Sequence, residues 1–105
     1  MSNSLILEQA TFARKSALLI LFAFEQGYLV TFGEAYATTG HKKNSYHYKR
    51  LAIDLNLFDS DYNYLTKTKD HLPLGKFWKT LGGTWGGDFS NISDGNHYSW
   101  NEGKE

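Results

Sequence analysis

Apolar and polar residues alternate most clearly in the middle of the chain. Leu51, Ile53, Leu55 and Leu57 interleave with Ala52, Asp54 and Asn56. That period of two predicts a half-buried strand with Asp54 on its polar side. Upstream, Leu5 to Gln26 reads as an amphipathic helix closed by Gly27, a residue suited to the left-handed C-terminal position. Leu7, Ala10, Phe12, Ala13, Ala17, Leu21 and Phe24 are expected to line its buried side, with Arg14, Lys15 and Glu25 facing water. Tyr28 to Tyr36 is rich in β-branched and aromatic residues and predicts another strand, followed by a polar loop over Thr38–Asn44. Beyond Asp54, Asp59-Ser60-Asp61-Tyr62-Asn63 is a turn and Tyr64-Leu65 begins a short return strand. Asp70 is the expected N-cap of a second helix. Leu74, Phe77, Trp78 and Leu81 form that helix's apolar stripe, and Gly82-Gly83 ends it. Thr84 to Asn96 is glycine-rich and irregular, and Tyr98-Ser99-Trp100 predicts a last strand with His97 at its start. No repeat or linker interrupts the pattern. The expected fold is α+β, a small antiparallel sheet packed against two main helices in a single domain over residues 1–105.

Composition narrows the function. A chain of 105 residues with 41% hydrophobic and 16% aromatic content supports one packed core rather than disorder. Formal net charge is zero and no basic cluster exceeds Lys42-Lys43, so the footprint of a nucleic-acid binder is absent. The apolar run Ala17–Phe24 is too short to span a bilayer, which argues against an integral membrane segment. A charged lead precedes that run and no small-residue cleavage site follows it, so no signal peptide is expected and synthesis is assigned to the cytoplasm. The expected state is a monomer. With no cysteine, disulfides, thiolate zinc sites and cysteine nucleophiles are excluded. Any transition metal must be held by carboxylates and by the four histidines.

Asp54 brings chemistry into view. A carboxylate in a strand of Leu and Ile needs a partner, because burying an unpaired charge is expensive. A surface position or a salt bridge would answer that need for a lone Asp. A metal site would answer it too, and His47 and His97 are available as further ligands. Seven residues of straight strand span roughly 23 Å, so His47 can join Asp54 only from a turn or bend. Taken alone, Asp94-Gly95 is a common turn signal. Ser45 lacks the triad partners of a nucleophile, while His41 and His71 read as exposed.

Ser45, His47 and Asp54 in the pattern S-x-H-x(6)-D, then Trp85-Gly86-Gly87-Asp88-Phe89, then Asp94 three positions before His97, together resemble the M15 family of zinc peptidases. These are D-Ala-D-Ala carboxypeptidases and L-alanyl-D-glutamate endopeptidases, and the stretch from Tyr28 onward is similar to their small phage members. The resemblance implies one zinc ion held by His47, Asp54 and His97, and Asp94 as general base. It implies a peptidoglycan stem peptide as substrate, cut at the bacterial cell wall by an endolysin-like enzyme. Ser45, Arg50 and Trp85 are the candidate substrate contacts. Two departures stand out. Arg50 occupies a position where the family usually has Gly, and Ala37 stands where phage relatives often carry an Arg for the substrate carboxylate or the oxyanion. Lys42, Lys43 and Arg50 are the candidate replacements. The alternatives are a D-Ala-D-Ala carboxypeptidase and a zinc-binding protein without catalysis that serves in cell-wall binding or regulation.

Overall fold

The computed structural model describes residues 3–40 and 45–102. Two helices and a five-stranded antiparallel sheet make up an α+β fold. The central strand, β2 (Ala52–Phe58), carries the alternating pattern, with Ile53, Leu55 and Leu57 buried and Asp54, Asn56 and Phe58 half-buried. One edge of β2 pairs with β1 (Leu29–Phe32). The other edge pairs with β5 (His97–Ser99) and with the short β3 (Tyr64–Leu65). A last strand, β4 (Thr84–Trp85), flanks β5, giving the order β1-β2-β5-β4. The segment expected to be irregular therefore holds a strand and, at Gly86–Asp88, a short 3-10 turn.

Helix α1 (Asn3–Glu25) ends as expected, with Gly27 at φ +92° and the Tyr28 N–H donating to the Ala23 carbonyl at 3.0 Å. Of the residues expected on its buried side only Phe12 is buried. Phe12, Ser16, Leu19 and Ala23 face the core, whereas Leu7 is 68%, Leu21 60% and Phe24 46% exposed. The helix is apolar on most of its circumference, so periodicity alone did not select the face; packing against α2 did. Phe12 meets Trp78 edge-on at 5.9 Å, and Phe22 stacks on Phe77 at 4.1 Å. No helix among the described residues is long and apolar enough to cross a membrane.

Helix α2 (Leu72–Thr80) buries Leu74 and Trp78 fully and packs Phe77 and Leu81 partly against the core, as its stripe predicts. Asp70 is not its N-cap. A 3-10 turn over Thr68–His71 precedes the helix, and the Asp70 carboxylate accepts from the Lys67 N–H at 3.0 Å. The N–H of Trp78 is shared between the carbonyls of Thr84 and Ser99, at 3.1 and 3.0 Å. That indole fastens α2 to the two strands beside the candidate site.

Candidate metal centre

His47 reaches Asp54 from a bend, as the spacing demands. Ser45 Oγ accepts from the His47 N–H at 3.3 Å and starts a 3-10 turn over Tyr46–Lys49. Arg50 ends the turn in the left-handed region, φ 59° and ψ 34°, with its N–H on the His47 carbonyl at 3.3 Å. For a non-glycine residue this conformation costs about 1–2 kcal/mol. The Arg50 guanidinium lies 4.1 Å from the centre of the Tyr36 ring, a cation–π contact that offsets part of the cost. Beyond the reversal the chain enters β2, and His47 Nε2 comes to 3.3 Å from Asp54 Oδ1.

Asp54 is held on its own backbone. Its N–H donates to the Glu34 carbonyl and its carbonyl accepts from the Gly33 N–H, both at 2.8 Å. A side chain at Gly33 would bring its Cβ within 2.9 Å of that Asp54 carbonyl oxygen, so the close approach requires glycine. On the opposite edge, register pairs Asp54 with His97 on the same face of the sheet, and His97 Nδ1 lies 3.6 Å from Asp54 Oδ1. The two imidazoles stand edge-to-face with centroids 5.2 Å apart. One ligand atom from each of His47, Asp54 and His97 falls within 4.8 Å of the others.

Both histidines are buried, yet the buried Oδ1 of Asp54 accepts no hydrogen bond. A buried carboxylate oxygen between two imidazole nitrogens, at 3.3 and 3.6 Å and in hydrogen-bond geometry with neither, is placed to be a ligand. Two nitrogens and one oxygen are also the donor set of a three-ligand catalytic zinc site with a fourth position open. The residues fit a metal ion. Burial works against the imidazolium of His97, but the Asp54 and Glu102 carboxylates outweigh it and push the group up to about 9.

Glu102 was not foreseen from the sequence. Its Oε1 lies 2.9 Å from His97 Nε2 and accepts from Ser99 Oγ at 2.6 Å, while its carbonyl accepts from Thr84 Oγ1 at 2.9 Å. Burial disfavours its charge, but hydrogen bonds from His97 and Ser99 prevail and hold the carboxyl below its usual range. An acidic residue five positions after a ligand matches no motif. It meets His97 only because Asn101, at φ 66°, turns the chain back after β5.

Asp94 is exposed, with its backbone fixed beside the cluster. Its N–H donates to the Gly86 carbonyl at 2.9 Å and its carbonyl accepts from the His97 N–H at 3.1 Å. A Cβ at Gly86 would collide with the Asp94 carbonyl and His97 Cβ, so the turn can form only over glycine. Asp94 also lines an open, polar cleft of about 190 Å³ with Thr68, Ser93 and Asn96. Trp85, a candidate substrate contact, is 4% exposed and donates its indole N–H to the Gly95 carbonyl at 2.8 Å. It forms part of the frame behind the Asp94–His97 turn. Ala37 adjoins the cluster, its N–H donating to the His47 carbonyl at 3.3 Å. His71 departs from its expected surface position. It is buried, with Nδ1 2.8 Å from the Tyr98 hydroxyl. His41, Lys42 and Lys43 lie outside the described residues.

A family model described as D-alanyl-D-alanine carboxypeptidase, from the M15 peptidases, matches residues 39–100. The matched span contains His47, Asp54, Asp94 and His97 and leaves out α1, β1 and Glu102. No curated protein matches the chain. A family match over more than half its length, laid across the His47–Asp54–His97 cluster, makes this chain a member of the M15 peptidase family.

Proposed function

We propose that the chain is a zinc-dependent peptidase of the L-alanyl-D-glutamate endopeptidase type, hydrolysing an amide bond in peptidoglycan stem peptides at the bacterial cell wall, as an endolysin does. One observation carries the reading. Asp54 Oδ1, buried and without a hydrogen bond, lies 3.3 Å from His47 Nε2 and 3.6 Å from His97 Nδ1, in a chain of a peptidase family. Those three atoms would hold the ion. When bound, zinc supplies a Lewis acid for the scissile carbonyl and lowers the pKa of water toward neutrality. Asp94 is assigned to take the proton of the attacking water and return it to the leaving amine. Support for that assignment comes from its exposed carboxylate on a turn tied to His97. Ser45 and Arg50, on the two ends of the His47 turn, are assigned to the substrate side.

The matched family's own description favours a second reading, removal of a terminal D-alanine. Digestion of purified peptidoglycan by the zinc-loaded protein separates the two. Mass spectrometry is expected to find stem peptides cut between L-alanine and D-glutamate; free D-alanine would point to the carboxypeptidase. Dialysed protein should retain about one zinc, as a three-ligand site implies. Protein that carries zinc and leaves both bonds intact would overturn the peptidase reading.

A further inference from the structure

Two nitrogens of one ring decide how His97 can serve a metal. Nε2 lies 2.9 Å from Glu102 Oε1, and Nδ1 faces Asp54 Oδ1. An ionised carboxylate only accepts hydrogen bonds, so Nε2 must carry the proton it shares with Glu102. In the neutral ring the lone pair then sits on Nδ1, on the side of Asp54 and His47. His47 does the reverse and turns Nε2 toward Asp54.

Glu102 is itself held in place. Ser99 Oγ donates to the same Oε1 at 2.6 Å, and the Glu102 carbonyl accepts from Thr84 Oγ1 at 2.9 Å. Ser99 lies two positions after His97 on β5, on the same face, and Thr84 pairs with Ser99 from β4. Glu102 is therefore anchored to both strands beside the site, its carboxylate to β5 and its backbone carbonyl to β4, with a side chain that is 29% exposed. A passive tether of the chain end would not need its carboxylate on the far nitrogen of a buried imidazole.

We infer that Glu102 is a positioning residue for the metal centre, fixing the His97 ring with Nε2 protonated so that Nδ1 is the ligand, with Ser99 orienting Glu102. This rests on the metal reading of the His47–Asp54–His97 cluster. Partners of this kind set ring orientation and raise ligand basicity, and their loss costs about 10- to 100-fold in metal affinity.

The test is zinc affinity by competition with a chromogenic chelator, together with two-bond 1H–15N correlation spectra of histidine-labelled wild type loaded with zinc. The spectra are expected to show His97 with a proton on Nε2 and zinc on Nδ1. Glu102→Ala is expected to weaken zinc binding about 10- to 100-fold. Glu102→Gln, whose amide oxygen still accepts from Nε2–H, is expected to restore most of that loss, and Ser99→Ala to reproduce part of it. Zinc bound through Nε2 of His97, or affinity unchanged in Glu102→Ala, would overturn this inference and leave the metal reading standing. Wild type that takes up no zinc would overturn both. Zinc on Nε2 in the wild-type spectrum would overturn the inference even if a variant fails to fold.

Discussion

Asp94 and Asp54 are both aspartates near His97, and they differ in exposure. Asp54 offers a buried oxygen to two imidazoles, whereas the Asp94 carboxylate faces solvent from a turn. Asp94→Asn preserves the turn and its backbone bonds, so zinc content is expected to stay at the wild-type level. Peptidoglycan cleavage should fall by about two to four orders of magnitude, the usual worth of a positioned acid–base group. Full activity in the zinc-loaded Asn variant would remove Asp94 from the mechanism. His71 yields a pH prediction. Burial pulls its pKa below the ordinary histidine value, with Asp70 opposing. The unfolded chain therefore binds the proton first as pH falls, and stability is lost below about 6.5 while remaining complete above it. Thermal midpoints measured at about pH 7.5 and about pH 5 should drop less for His71→Asn than for wild type. An equal drop would place the acid sensitivity elsewhere. The three clustered side chains were legible in the sequence because they match the motif of the M15 peptidases, and the bend at His47 followed from strand length alone. Glu102 and the burial of His71 were not: Glu102 reaches His97 through a reversal at Asn101 that the sequence does not signal, and His71 is buried against Tyr98, a partner distant in sequence.

Among the elements, β2 and α2 followed their patterns closely, because each offers one apolar face and one polar face. Helix α1 did not. From Ala17 to Phe24 every residue is apolar, so the sequence contains several stripes and the core accepts one of them. Leu19 is fully buried and Leu21 is 60% exposed. Leu19→Ala is accordingly expected to cost about 2–5 kcal/mol in denaturant unfolding, and Leu21→Ala to stay within about 0.5 kcal/mol. Comparable losses at the two sites would mean that the outer face of α1 is covered in solution. The start of α2 also shifted, because Asp70 caps a 3-10 turn rather than the helix and so closes the connection from β3 one turn earlier.

For the whole molecule, zinc would link His47, on the turn before β2, to β2 and β5, and its removal should be felt globally. At a zinc concentration one hundredfold above the dissociation constant the folded state gains about 2.7 kcal/mol. For a domain of this size each kcal/mol moves the thermal midpoint by about 4–8 °C. Excess chelator is expected to lower the midpoint on that scale, and a midpoint indifferent to chelator would count against a zinc site. The order β1-β2-β5-β4 adds a kinetic consequence. Strand β5 is the last in sequence but sits inside the sheet, between β2 and β4. Without β5, the turn at His47 and strand β2 hold two of the three clustered side chains, and the edge of β2 that β5 occupies is unpaired there. Loop-closure entropy makes so distant a pairing a slow step. The three side chains therefore come together only once β5 has brought His97 into register with Asp54.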